Sequence, residues 1–233
     1  MKNSSSISRM IQVLAQSVLL LFVCSFIFSS FEPAIIFGAT ATSQFKISQD
    51  ISSEISFVIP ASNVTMSPSL GGLTGGTSNG STQLVVNTSN NTGYNMTLVS
   101  SSSLGMINTA SSTYYIPAYV PSSGGVPDYS FTAPANTARF GYSVKATTTS
   151  DVAQLFLDNG SNACNTGSSN TTDKCWLNAS TSAVTIINRA TPTPSGGATS
   201  TLFFRVVINS NPNPVIPNGT YVATTTLTAT TNP

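Results

Sequence analysis

Apolar and polar residues alternate most strictly between Phe45 and Ile59. Phe45, Ile47, Ile51, Ile55, Phe57 and Ile59 take odd positions, while Lys46, Ser48, Asp50, Ser52, Glu54 and Ser56 take even ones. Successive side chains of an extended chain point to opposite faces, so this spacing predicts strands with one face buried. The same period returns at Leu84 and Val86, at Tyr94, Met96 and Leu98, and at Phe140, Tyr142 and Val144. It recurs at Val184 and Ile186, at Leu202, Phe204, Val206 and Ile208, and at Tyr221, Ala223, Thr225, Leu227 and Ala229. Beyond residue 41 no segment keeps a 3.6-residue period over the roughly ten or more positions that a stable helix wants.

Turn chemistry divides these segments. The stretch from Pro68 to Gly80 carries Gly71, Gly72, Gly75, Gly76 and Gly80 and predicts a loop without a long regular element. The runs around Leu84 and Tyr94, joined by residues 87–93, predict a hairpin with a multi-residue turn. Pro117, Pro121, Pro127 and Pro134 interrupt residues 100–136, and a proline cannot donate to a sheet ladder, so edge strands and loops are expected there. Pro212, Pro214 and Pro217, followed by Asn218 and Gly219, predict a sharp connection into a terminal strand from Tyr221 to Thr230. Many short strands with no interleaved helices point to an all-β chain, an immunoglobulin-like antiparallel β-sandwich with a small barrel as the alternative.

The first forty or so residues differ in kind. Lys2 and Arg9 give a basic start, and the run from Met10 to Phe31 is mostly apolar, centred on Leu19, Leu20, Leu21, Phe22 and Val23. It closes on Ala39-Thr40-Ala41, with small residues at the two positions a signal peptidase reads, so residues 1–41 are expected to be a signal peptide and 42–233 a single sandwich domain. The alternative is an uncleaved N-terminal anchor helix, since about 20 apolar residues suffice to span a bilayer. Val23 and Phe22 before Cys24 argue against lipidation, which wants a small residue there. The membrane would be touched only through this segment.

Composition sharpens the reading. Charged residues are 6% of the chain, against about 25% in a typical soluble protein. Past the leader six basic residues (Lys46, Arg139, Lys145, Lys174, Arg189, Arg205) meet six acidic ones (Asp50, Glu54, Asp128, Asp151, Asp158, Asp173), all scattered singly. Nucleic acid, bound through clustered cations, is not expected as a partner. Serine, threonine, asparagine and glycine carry solubility instead, and an uncharged coat offers little repulsion between copies.

Cys164 and Cys175 close one short polar loop and read as a disulfide in an oxidising compartment. The chain contains no histidine, which removes Ser-His-Asp and Cys-His triads and imidazole-based zinc sites. Lys145 and Lys174 stand in no motif with the many serines, and a glycosidase would need two of the six acids converging. No enzyme, cofactor or metal is expected. Two weaker candidates remain. Asp158, Asn159 and Asn162 crowd oxygen ligands beside a glycine and hint at calcium, although an Asx-type turn uses the same residues. Tyr114, Tyr115, Tyr119, Tyr129 and Trp176 could stack on sugar faces. Sequons at Asn63, Asn95, Asn178 and Asn218 follow from composition and do not imply glycosylation.

Two stretches carry a resemblance. Ile55-Ser56-Phe57, Val64-Thr65-Met66, Gly75-Gly76, Val86-Asn87-Thr88 and Gly93-Tyr94-Asn95-Met96-Thr97-Leu98 form the first; Ile216-Pro217-Asn218-Gly219-Thr220-Tyr221 through Thr228-Ala229-Thr230 form the second. Together they resemble uncharacterised exported β-sandwich surface proteins of bacterial candidate phyla. The ending is similar in style to WxL and spore-coat-protein-U-like surface domains. Leu227 and Ala229 occupy the last strand where a WxL pattern has tryptophan, so peptidoglycan binding of that type is not implied. The resemblance implies a bacterial envelope or extracellular protein.

The expected function is that of a non-catalytic, exported cell-surface subunit, structural or adhesive, with copies of itself or other envelope components as partners. Edge-rich β domains with little charge readily add a strand, and the segment Phe45 to Ile59 is expected either to pair within its own sheet or to complement a neighbouring copy. An extracellular carbohydrate- or protein-binding module is the other expectation.

Overall fold

The computed structural model describes residues 4–29 and 41–233. The chain divides into two units, Met1–Asp50 and Ile51–Pro233.

In the first unit helix α1 spans Ser4–Ser29, and its side chains from Arg9 to Ser25 are exposed. No described helix is long and apolar enough to cross a membrane. Ala39 and Thr40 of the expected cleavage site, and Phe31 at the end of the apolar run, lie outside the described residues. Residues 41–50 form no strand or helix.

The second unit is built from eleven strands: β1 (Ile55–Ile59), β2 (Gly76–Thr88), β3 (Tyr94–Ser100), β4 (Gly105–Asn108), β5 (Tyr115–Pro117), β6 (Ala138–Ala146), β7 (Leu177–Asn178), β8 (Val184–Arg189), β9 (Ala198–Ile208), β10 (Tyr221–Val222) and β11 (Thr225–Thr231). A five-stranded sheet runs β1-β2-β9-β6-β7, and two three-stranded sheets run β11-β3-β8 and β10-β4-β5. Every strand pairing is antiparallel. The all-β, immunoglobulin-like sandwich behind an N-terminal helix is therefore the architecture observed. Leu84 and Val86 of β2, Leu202 to Ile208 of β9 and Phe140 to Val144 of β6 meet Tyr94, Met96 and Leu98 of β3 and Ile186 and Ile187 of β8 in one core. The inward residues of β2, β3, β6 and β9 alternate along their strands, whereas Ile186 and Ile187 are adjacent and both buried where the β3–β8 register shifts.

Four sequence expectations change. The Phe45 to Ile59 strand is real only from Ile55, because its partner β2 ends at Thr88: the Glu54 carbonyl accepts from Thr88 Oγ1 (2.6 Å) and from the Ser89 amide (3.2 Å), and the ladder stops there. The hairpin expected between the Leu84 and Tyr94 runs is instead a crossing between sheets, since β2 pairs with β1 and β9 while β3 pairs with β8 and β11. Asn90 ties that crossing, its side-chain amide donating to the Gly93 and Asn232 carbonyls, each at 2.8 Å. The glycine-rich stretch is not all loop, because β2 begins at Gly76 and pairs with β9 through Gly80. A Cβ on Gly80 would come within 2.4 Å of Val64 Cγ1, so the bare backbone lets residues 64–66 lie across the strand. The terminal strand breaks at Ala223 and Thr224, with β10 joining β4 and β11 joining β3.

Candidate functional site

The Cys164–Cys175 disulfide is formed, with the two Cα atoms 5.7 Å apart. Structural disulfides of this kind belong to an oxidising, extracytoplasmic environment. Cys24 is free and exposed.

Next to the disulfide, Trp176 is fully buried. Its indole N–H donates to the Asp173 carbonyl (3.1 Å), and Phe131 meets it edge-on at 5.3 Å. Tyr119 lies 4.5 Å from Phe131. The Arg205 guanidinium covers Trp176 at 4.5 Å and donates to both oxygens of Asp173, at 2.7 and 2.8 Å. Tyr119 donates its hydroxyl to Asp128 Oδ2 (2.6 Å), and burial together with that carboxylate pushes the phenol pKa up. Lys174 stands 4.6 Å over the Tyr129 ring.

This arrangement corrects the stacking platform. Tyr119 and Trp176 are buried and have no face left for a sugar, because the sandwich uses them to seat Phe131 and Arg205. Tyr114 and Tyr115 are exposed. Tyr115 lines a shallow depression of about 450 Å³ with Leu104, Val120, Gly124, Gly125 and Asn178, none of them charged. Phe131 and Arg205 were not legible as members of one cluster, since nothing in their local spacing marks them.

Asp158 and Asn159, two of the calcium candidates, spend their oxygens on their own loop. The Asp158 side chain is buried, and its Oδ1 accepts from the Gly160 amide (2.8 Å) and Thr171 Oγ1 (3.1 Å). Its Oδ2 accepts from the Thr171 amide at 2.8 Å. Asn159 Oδ1 accepts from the amides of Ser161, Asn162 and Ala163. These are the hydrogen bonds of Asx-type turns, so the Asx-turn reading of these residues is the one observed. Among the described residues no three His, Cys, Asp or Glu side chains gather to hold a metal.

The acids sit apart with separate partners. Asp151 pairs with Arg189, Asp173 with Arg205, Asp128 with Tyr119 and Ser122, and Asp158 with its own loop. Asp50 is exposed with the rest of its segment.

A different feature stands on the opposite kind of surface. Between β1 with the chain that follows it and β10 with β11 lies a groove of about 490 Å³, floored by Phe140, Leu202 and Phe204 and walled by Phe57, Val64 and Leu227. The floor is the outer boundary of the core, made by buried side chains of β6 and β9. Val64, which entered the sequence reading only through the resemblance, and Met106 carry no periodic signal that would place them in this groove. Separately, Phe45, Ile47 and Ile51 are 83%, 84% and 87% exposed.

Neither a family model nor a curated protein matches this chain.

Proposed function

We propose that this chain is a non-catalytic, exported subunit of the bacterial cell surface, structural or adhesive, that assembles with copies of itself or with other envelope components. The observation that carries the reading is the run of large apolar side chains at Phe45, Ile47 and Ile51, left in water by a chain with almost no charge. Scattered apolar residues on a surface are ordinary, but a strand-patterned set of three suits an interface. The disulfide supports export, as do the basic start and apolar run of residues 1–41. Acids held apart on separate partners support a non-catalytic role. The resemblance to exported β-sandwich surface proteins belongs to the same proposal and rests on the two stretches quoted above, the proline-glycine approach to β10 and β11 being similar in style to WxL and spore-coat-protein-U-like domains.

Native mass spectrometry of the chain recovered from cells tests both halves. The expected species begins at Thr42, has lost two hydrogens at Cys164 and Cys175, and forms oligomers as concentration rises. A reduced chain in the cytoplasmic fraction, monomeric at every concentration, would end the proposal.

A second reading, a carbohydrate- or protein-binding module, draws on the uncharged depression beside Tyr115, with Tyr114, Leu104 and Val120 exposed. Binding of neutral glycans lost on Tyr115→Ala, with assembly unchanged, would favour it.

A further inference from the structure

Six strands form the edges of the three sheets: β1, β7, β10, β5, β11 and β8. An open edge invites pairing with another chain, and folded proteins blunt it by shortness, proline, charge or a bulge. β7 and β10 are two residues long, and β5 is three residues ending in Pro117. β1 shifts register between Phe57 and Ile59 and runs into Pro60. The pairing of β8 shifts register beside Met96, and the strand ends in Arg189. β11 carries none of these devices. Its seven residues, Thr-Thr-Leu-Thr-Ala-Thr-Thr, keep an unbroken register with β3 on one side and make no strand pairing on the other. That open side borders the groove floored by the core residues Phe140, Leu202 and Phe204.

The chain contains a strand-patterned segment of matching length that makes no sheet pairing. From Phe45 to Ile51 is seven residues, with Phe45, Ile47 and Ile51 on the parity of Ile55 and Phe57, the two residues that β1 turns inward. The even positions Lys46, Ser48 and Asp50 are polar and of balanced charge. Residues 52–54 are Ser-Ser-Glu, without the glycine, asparagine, aspartate or proline that would fold the segment back as a hairpin on its own β1. Ile51 and Ile55 keep one parity on either side of these three polar residues, so the segment is patterned to continue the line of β1.

We propose that residues 45–51 of one copy add as a strand to the open edge of β11 in a second copy, placing Phe45, Ile47 and Ile51 in that copy's groove. The idea rests on the assembling subunit proposed above and names the surface through which it assembles. Main-chain hydrogen bonds along β11 supply affinity, and alternate side chains entering the groove set register. Each copy donates one segment and accepts one, so the contact is head-to-tail and propagates unless a ring closes.

The test uses the chain as recovered from cells, expressed from a Cys24→Ser gene so that no free thiol is present whether or not the leader is cut. Chains carrying Ser48→Cys and chains carrying Thr228→Cys, both outward positions, are mixed and treated with a short cysteine-reactive cross-linker. The expected product is a dimer containing one of each. The triple variant F45D/I47D/I51D is expected to weaken self-association by more than about tenfold, since three buried apolar side chains are lost from the contact. Its melting temperature should stay unchanged, which separates lost assembly from lost folding. A peptide of residues 42–54 should bind this variant more than about tenfold tighter than the same peptide with the three aspartates. Oligomers that persist in the triple variant without the mixed cross-link would overturn this inference while leaving the assembling subunit intact. Chains that never associate would overturn both. A cross-link forming within one chain that carries both cysteines, in a monomer, would show the segment filling its own groove and would also overturn the proposal.

Discussion

The loop around Trp176 and the groove beside β11 treat the same chemistry in opposite ways. Around Trp176 the disulfide, the Arg205 pair with Asp173 and the hydrogen bonds of Asp158 and Tyr119 use up the local charges and hydroxyls within the domain. Beside β11 one side of the strand makes no sheet pairing and borders an apolar groove, and a strand-patterned segment before β1 is left in water. Buried polar groups are costly unless matched, whereas an exposed edge costs little until a second chain arrives. The first region therefore reads as stability and the second as recognition.

Mutations should separate the two. Trp176→Ala is expected to cost the most, about 3–5 kcal/mol, because a fully buried indole leaves both a cavity and an unseated Arg205. Denaturant titration measures it, and a loss below about 1 kcal/mol would mean that this loop is not the rigid end. Replacing Cys164 and Cys175 by serine should cost roughly 3 kcal/mol, through the loop constraint released from the unfolded chain. At the groove end, Ile47→Ser is expected to change stability by less than about 0.5 kcal/mol while reducing self-association. A larger stability effect would place Ile47 in the folding core and dissolve the contrast.

A pH titration sharpens the same contrast. Burial, aided by the Asp151 carboxylate and opposed by Arg189, raises Tyr94 from 10.0 to about 12; burial raises Tyr142 as well. Both hydroxyls lack hydrogen-bond partners. A phenol whose folded pKa exceeds its unfolded value holds its proton more tightly when folded, so that contribution to stability is complete below about pH 10. It is lost as pH rises toward 12. Thermal melts should be insensitive to histidine-range pH, since the chain has no histidine, and should fall steeply above pH 10. Tyr142→Phe is expected to be neutral or stabilising by roughly a few tenths of a kcal/mol, because it removes an unmatched buried hydroxyl without changing shape.

Period-two spacing located the sandwich well where both neighbours of a strand exist. Phe140, Tyr142 and Val144 and the run Leu202 to Ile208 are core residues of the paired strands β6 and β9. The same spacing misled at Phe45 to Ile51, because pairing depends on where another strand ends, and Thr88 is too distant in sequence to be read beside Glu54. Gly80 misled in the other direction: its missing Cβ makes room for Val64 inside a strand. The disulfide was legible because two cysteines share one short loop. The contrast between Tyr115 and Trp176 was not, since exposure of an aromatic ring is settled by residues such as Phe131 and Arg205 arriving from other strands.

The placement of Trp176 also gives the molecule an intrinsic optical gauge. It is the sole tryptophan of the chain, shut away from water, next in sequence to one half of the disulfide and capped by a guanidinium. Its emission should be blue-shifted and dim in the oxidised, folded chain. Reduction alone should brighten it, and unfolding should shift it to the red. Fluorescence can therefore follow opening of this loop separately from loss of the sandwich, without any added label.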